Sequence, residues 1–227
     1  MKTIGFIGGL SWESTADYYR YVNEYVKKER GGLHSAKCLL HSFDFQEIAD
    51  LQRQALWDEA TDRMVHAAQA LKQGGAEFLI ICTNTMHIMA EAVEQAANIP
   101  LLHIGDATAE EVLKRGLKKV GLLGTKFTME KDFYKERLLA HGIETITLTK
   151  RIGKRFTILY FLSCAGGKFS RTQKRSTWRS SIALPPKERK GLSSAARKSH
   201  SSSNREIASF LCSIRPSSTL KKRLNLH

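Results

Sequence analysis

Residues 76–87 read Ala76-Glu-Phe-Leu-Ile-Ile-Cys-Thr-Asn-Thr-Met-His87, and the architecture predicted for the chain follows from this stretch. Its apolar part, 78–81, is too short for a helix and rich in β-forming residues, which indicates a buried parallel strand. A thiol, two hydroxyls and an amide follow at 82–85. Because open α/β sheets bind ligands outside the carboxyl ends of their strands, these four side chains lie where a site is expected.

Two interpretations of Cys82 stand side by side. A helical pattern begins at Met86, and the N–H groups and dipole of a helix start suit a carboxylate. The same field lowers the pKa of a thiol, which favours Cys82 as a reactive thiolate. The alternative is a buried cysteine at a strand end without a chemical role, which is common in proteins. The twelve residues alone do not separate these interpretations.

Strand and helix patterns alternate as far as residue 150, which predicts an α/β fold with doubly wound parallel sheets. The predicted strands cover 3–7, 36–43, 78–81, 101–104, 119–123 and 145–148. The predicted helices run from the N-cap Ser11 to Gly31, briefly after 47, over 57–73 and 86–97, from a cap at Asp106 or Thr108 to 115, and over 131–140.

The composition changes abruptly near Lys150. The first 150 residues hold 18 Lys+Arg against 20 Asp+Glu, whereas the last 77 hold 18 against 2. Serine rises from 4 in the first part to 15 in the second. A sequence so basic, serine-rich and aperiodic buries too little apolar surface to offset the entropy of ordering. We therefore expect residues 151–227 to form a disordered tail.

Several classes of protein are disfavoured by the sequence. No run approaches eighteen apolar residues, so no membrane span is predicted. The four cysteines lack paired spacing, which disfavours a disulfide framework or zinc site and favours a reducing cytoplasm. The glycines near the N-terminus do not form G-x-G-x-x-G, and no phosphate-binding loop, H-E-x-x-H or G-x-S-x-G motif is present. We expect neither a nucleotide site nor a metal site.

Ordered blocks within residues 1–150 resemble the aspartate/glutamate racemase family, and most closely its broad-specificity amino-acid racemase branch. They are Gly8-Gly-Leu-Ser-Trp-Glu-Ser-Thr15, His41-Ser-Phe-Asp-Phe45, Cys82-Thr-Asn-Thr-Met-His87, His103-Ile-Gly-Asp-Ala-Thr108 and Leu123-Gly-Thr125. The resemblance implies two similar α/β domains with the active site between them. It also implies racemisation of a small amino acid without pyridoxal phosphate or metal, by two cysteines on opposite faces of the substrate Cα.

The resemblance and the chemistry agree on Cys82 as a catalytic base. Removing a Cα proton requires a base near that proton and stabilisation of the carbanion and its carboxylate. Cys82 supplies the base, and Thr83, Asn84 and Thr85 with nearby N–H groups are expected to hold the carboxylate.

Three further side chains are candidate substrate contacts. Ser11 and Thr125 each follow a predicted strand, so both are expected at the same cleft. Gln52 matches a position that helps to bind substrate in the family that the chain resembles. The alternative for Ser11 is a helix cap, and for Thr125 and Gln52 an ordinary polar loop residue.

The sequence departs from the family pattern after residue 150. The second cysteine is expected in a Gly-Cys-Thr-Glu context, whereas Cys164 and Cys212 lie in unrelated contexts. We therefore predict a first α/β domain at 1–100, the start of a truncated second one at 101–150, and the tail. A shift of reading frame near Lys150 accounts for the change in composition. An intact alternative frame at the locus would support this hypothesis, and its absence would refute it.

Three functions remain open on the sequence. The first is an amino-acid racemase impaired by loss of the second cysteine. The second is an α/β module whose basic tail binds nucleic acid or another anionic partner without specificity. The third is an inactive product of a damaged gene. A homodimer is left open, since the sequence does not fix the oligomeric state.

Overall fold

A computed structural model describes residues 1–122 and 125–147, together with Leu220, Arg223 and Leu224. The chain forms two compact units, Met1–Gly116 with Cys212–His227, and Leu117–Leu211. The first unit thus extends past residue 100, where the sequence places a boundary. The disorder predicted for the tail falls outside the described residues, apart from three of them. Leu220 and Leu224 are helical and fully buried, and the Leu224 carbonyl accepts the Lys2 N–H at 3.3 Å.

The first unit is built on a parallel sheet of three strands, β1 (Ile4–Gly8), β2 (Cys38–Ser42) and β3 (Phe78–Ile81). Their order is β2-β1-β3, so the central strand pairs in parallel with both neighbours. The chain adds β2 on one side of β1 and then crosses to add β3 on the other. This reversal is the feature of a doubly wound sheet, and the predicted fold class is confirmed.

Helices connect the strands of the first unit and cover the sheet. They are α1 (Trp12–Arg30), α2 (Phe45–Arg53), α3 (Trp57–Gln73), α4 (Ala90–Ala97) and α5 (Ile104–Lys114). A 3-10 turn at Thr85–Met89 precedes α4. The predicted strand 78–81 and the predicted helix 57–73 are confirmed at both ends.

The amphipathic helix α1 shows why these segments fold as they do. Ser11 caps it by accepting the Ser14 N–H, and Gly31 ends it at φ 73°, where its N–H reaches the Lys27 carbonyl. Its buried side chains recur at helical spacing, which turns one continuous stripe toward the sheet. They are Thr15, Tyr18, Val22, Tyr25 and Val26.

Both faces of the sheet are buried. Ile7, Leu79 and Ile81 pack in one cluster with apolar residues of α3 and α4. Since successive strand residues point to opposite faces, the equally buried Phe78 and Ile80 fill the other side. Fully burying one such side chain contributes roughly 1.5–3 kcal/mol, so the strand before Cys82 is firmly held.

Two sequence predictions around residue 101 are wrong. The expected strand 101–104 is reduced to a parallel bridge between Leu101 and Leu79, because α5 already begins at Ile104. The cap of α5 is neither Asp106 nor Thr108. The His103 side chain accepts the Gly105 N–H at 3.0 Å and caps the helix itself.

The second unit contains strands β4 (Lys119–Leu122) and β5 (Glu144–Thr147), which pair in parallel. Between them lie α6 (Lys126–Glu130), which the sequence pattern does not predict, and α7 (Phe133–Ala140). Met129, Tyr134, Leu138 and Ile143 are its buried apolar residues. The motif of strand, helix and parallel strand is that predicted from the sequence.

Candidate active site

The candidate site lies at the carboxyl ends of β1 and β3. Gly9 follows β1 directly, and Cys82 follows β3. These two strands are neighbours, and the chain reverses its direction of strand addition between them. Ligands of open α/β sheets bind at such a reversal because the connecting loops diverge there and leave a crevice.

Backbone hydrogen bonds hold Cys82 on both sides of its Cα. Its N–H donates to the Ile7 carbonyl at 2.9 Å, which continues the pairing of β3 with β1. Its carbonyl accepts the Ser14 hydroxyl at 3.0 Å, which ties it to the first turn of α1. The side chain is fully buried. The backbone of Cys82 is therefore held by contacts to two elements.

The sequence prediction for the pKa of this thiol is wrong. Burial raises the pKa of Cys82 above its ordinary value, since an apolar environment disfavours the thiolate. The helix expected at Met86 does not begin there, because Thr85–Met89 is a 3-10 turn and α4 starts only at Ala90. Burial of the Cys82 side chain, and not a helix dipole, sets the direction of its pKa shift.

His87 closes the loop that follows Cys82. Its Nδ1 lies 2.7 Å from the Thr83 carbonyl oxygen, and its Nε2 lies 3.2 Å from the Ile104 nitrogen. Burial, and then the neighbouring His103, lower the pKa of His87 to about 3. The ring is therefore neutral at pH 7.

This shift predicts how stability depends on pH. The folded pKa of His87 is about 3 against an ordinary value of 6.5, so between these values the unfolded chain binds the extra proton. The free energy of unfolding is expected to fall as pH falls through this window, by about 1.4 kcal/mol per unit from this residue. Urea unfolding of the protein and of His87→Gln between pH 7 and 4 measures the difference. Carboxylate titrations cancel in that comparison, and equal slopes would contradict the prediction.

The chain is packed too tightly for a Cβ at Gly8, where β1 ends, and at Gly9, which follows it. A Cβ on Gly8 would lie 2.5 Å from Thr15 Cγ2, and a Cβ on Gly9 would lie 2.2 Å from the Phe43 carbonyl oxygen. The Gly9 N–H donates to Thr15 Oγ1 at 2.9 Å. Ser11 follows with the unusual φ of 151°. Its hydroxyl donates to Glu13 Oε2 at 2.8 Å and accepts the Ser14 N–H at 3.4 Å, as a helix cap does.

The structure brings Gln52 to the Cys82 loop. Its Nε2 lies 3.0 Å from Met86 Sδ, within the 3-10 turn that carries Thr85. Thr83 and Asn84 are half-buried, whereas Thr85 is buried. Thr125 belongs to the second unit, where it caps α6 by accepting the Thr128 N–H at 3.3 Å. Its role at the substrate stays a prediction.

Residue patterns give no reason to single out His87 and only one signal for Ser14. Both act on backbone carbonyls of the Cys82 loop, and such contacts leave no periodic signal. One signal exists for Ser14, which lies three residues after the N-cap and so shares its helix face.

Among residues 1–122 and 125–147, no group of three or more His, Cys, Asp and Glu side chains is arranged to hold a metal ion. Within the same ranges, no helix is both long and apolar enough to span a membrane.

Comparison with known proteins identifies the family. The model of the Asp/Glu/Hydantoin racemase family matches residues 7–160. The broad specificity amino-acid racemase RacX of Bacillus subtilis (strain 168) is 29% identical over 146 residues, which are 63% of this chain and 63% of that protein. The match thus spans less than two thirds of this curated relative.

Two solved structures share the fold. A Yersinia pestis protein assigned as an Asp/Glu racemase is 46% identical with a TM-score of 0.72, over 80% of this chain and 79% of that one. PH1733 of Pyrococcus horikoshii OT3, described as an aspartate racemase homologue, is 35% identical with a TM-score of 0.64, over 74% and 73%. The chain thus has an α/β fold that it shares with these two solved structures. The chain belongs to the Asp/Glu/hydantoin racemase family, and the resemblance found in its sequence is confirmed.

Proposed function

We propose that this chain is an amino-acid racemase of the cofactor-independent kind, in which Cys82 abstracts the substrate Cα proton. The observation that carries the proposal is the position of a buried thiol directly after β3, where the sheet reverses its strand order. In the proposed step the Cys82 thiolate takes the Cα proton and becomes a thiol, and the electron pair passes to the substrate carboxylate as an enolate.

The raised pKa of Cys82 fits this chemistry. A Cα–H is a weak acid, and a thiolate with a higher pKa is a stronger base. The consequence is that only a small fraction of the protein molecules carries the Cys82 thiolate near neutral pH, and the reaction is therefore slow. Family relationship and chemistry both support the base role, whereas burial opposes ionisation in the arrangement described.

The remaining side chains of the loop suit the substrate carboxylate. Thr83, Asn84 and Thr85 offer hydroxyl and amide groups directly beside Cys82. Gln52 is tied to Met86 in the same loop, which supports its assignment as a substrate contact. Donors that meet the carboxylate as charge develops stabilise the transition state.

A single cysteine limits the outcome of the reaction. Inversion requires a base on one face of the Cα and an acid on the other, and the family's Gly-Cys-Thr-Glu segment is missing after residue 150. Cys164 and Cys212 lie outside the described residues. We therefore propose that racemisation is impaired, and that Cys82 returns a solvent-derived proton to the face from which it took the first.

The expected result is hydrogen exchange with retention of configuration. L-Aspartate, L-glutamate and several neutral L-amino acids are incubated with the protein in D₂O. Proton NMR follows the Cα–H signal, and chiral chromatography identifies the enantiomers. We expect slow loss of the Cα–H signal without D-enantiomer, because exchange needs one base and inversion needs two groups. Formation of the D-enantiomer by pure protein would show that a second acid is present.

The charge of the tail favours a second candidate function. Residues 151–227 hold 18 Lys+Arg against 2 Asp+Glu, which attracts polyanions whatever their sequence. Binding of this kind weakens steeply with salt because it releases counterions. A salt titration of RNA and DNA binding, for the whole chain and for residues 1–150, tests it. Equal binding of RNA and DNA by the whole chain and by residues 1–150 would show that the tail does not contribute to binding.

A further inference from the structure

His87 connects the Cys82 loop to the start of α5. Its Nδ1 lies 2.7 Å from the Thr83 carbonyl oxygen, and the Ile104 N–H points to its Nε2 at 3.2 Å. A carbonyl needs a donor and an N–H needs an acceptor. The ring must therefore be neutral with its proton on Nδ1, which satisfies both contacts at once.

The surroundings of the ring favour this single state. The His103 ring meets His87 edge-on, with 4.7 Å between ring centroids. Asp106 is the nearby acidic group, and its charge weakly favours the protonated ring, against the larger effects of burial and His103. If Nε2 of His87 carried a proton, its N–H would face the N–H of Ile104, and no hydrogen bond could form between them. Both nitrogens are thus committed to backbone atoms, and the ring acts on the loop rather than on a substrate.

We propose that His87 is a positioning residue, whose neutral Nδ1–H form fixes the Thr83 carbonyl and thereby the orientation of the Cys82 thiol. Ser14 fixes the adjoining Cys82 carbonyl, so two side chains hold two successive carbonyls. The inference rests on the proposed function only where it states the purpose of the thiol orientation. The hydrogen bonds of His87 and Ser14 do not depend on that function. A thiol placed against a Cα proton must be held closely, because small displacements of a base cost rate.

Two variants separate the two contacts of the ring. His87→Asn places an amide N–H near the Nδ1 position and keeps the donor to Thr83. His87→Gln reaches the Nε2 position with its amide oxygen and keeps the acceptor for Ile104, but loses the donor. If the Thr83 contact fixes the thiol, the orientation of Cys82 is kept in His87→Asn and lost in His87→Gln. His66→Asn, at an exposed position of α3, is the matched control.

The first readout is the rate of iodoacetamide alkylation of Cys82, followed by peptide mass spectrometry. We expect His87→Gln to raise it about fivefold, the factor that one ordinary hydrogen bond is worth. His87→Asn and His66→Asn should stay within about twofold of the parent. Cys38 on β2, which is half-buried, is the internal control, and its rate should not change. Acceleration of both cysteines together would mean general loosening and would overturn the proposal.

The second readout is Cα–H exchange in D₂O over a range of substrate concentrations. We expect His87→Gln to lower kcat with KM unchanged, and His87→Asn to restore kcat. If the parent protein shows no exchange, the proposed function fails while the alkylation ratios still decide the role of His87. The proposal would be overturned if Cys82 were alkylated at the same rate in His87→Asn, His87→Gln and the parent protein. It would also be overturned if both variants raised that rate equally.

Discussion

Replacing Gly9 with alanine is expected to unfold the first unit under conditions in which the parent protein is folded. The residue has φ +75°, and a Cβ there would lie 2.2 Å from the Phe43 carbonyl oxygen and 2.3 Å from the Phe43 nitrogen. Both atoms are backbone, and they belong to the segment that leaves β2. Since neither can rotate away, β1 and β2 must separate at their carboxyl ends.

Gly31→Ala is a close control for this experiment. Gly31 has φ +73°, and a Cβ added there would meet no heavy atom within 4 Å, so this position carries the conformational cost alone. Its ψ of −171° places it in an extended region that is almost exclusive to glycine, where another residue costs about 1–3 kcal/mol. We expect Gly9→Ala to lose at least about 3 kcal/mol more than Gly31→Ala, measured by urea unfolding with circular dichroism. Similar midpoints for the two variants would contradict the packing described at Gly9.

Replacing Cys82 with serine is expected to reduce Cα–H exchange by about 10²–10⁴-fold, to the level of the solvent background. A hydroxyl of similar size remains, but an alcohol is far less acidic than a thiol and supplies almost no base. Burying an additional hydroxyl costs about 1–3 kcal/mol, so Cys82→Ala serves to separate loss of the base from loss of stability. Cys38→Ser, which changes a cysteine of β2 outside the site, should leave the rate unchanged.

The fold can be predicted where a residue pattern determines local structure. Phe78 to Ile81 is apolar throughout because both faces of the sheet are covered, and this pattern gives the strand with both its ends. The prediction of a strand at 101–104 fails because Leu101 alone bridges to β3 before α5 begins. The cap of that helix is not predicted because Asp and Thr are the usual cap residues, whereas His103 fills the position here.

The position of Cys82 can be predicted from the sequence, whereas the electrostatics of its thiol cannot. Cys82 follows β3 as expected and Gln52 lies against the same loop, while the roles of both residues stay predictions. The predicted direction of the Cys82 pKa shift is wrong because burial of the thiol disfavours its thiolate, and the helical spacing at Met86 carries no signal of that burial. The contacts of Ser14 and His87 join residues 68 and 4 positions apart through backbone carbonyls, which residue types do not reveal.

The central claim is that Cys82 is the base of this site, and one measurement tests it most directly. The Cα–H signal of an L-amino acid in D₂O is followed by proton NMR with the parent protein and with Cys82→Ser in parallel, between neutral and alkaline pH. We predict loss of the signal only with the parent protein, at a rate that rises about tenfold per pH unit because the raised pKa of Cys82 leaves the thiolate scarce. Equal loss with both proteins, or no loss with either, would contradict the claim.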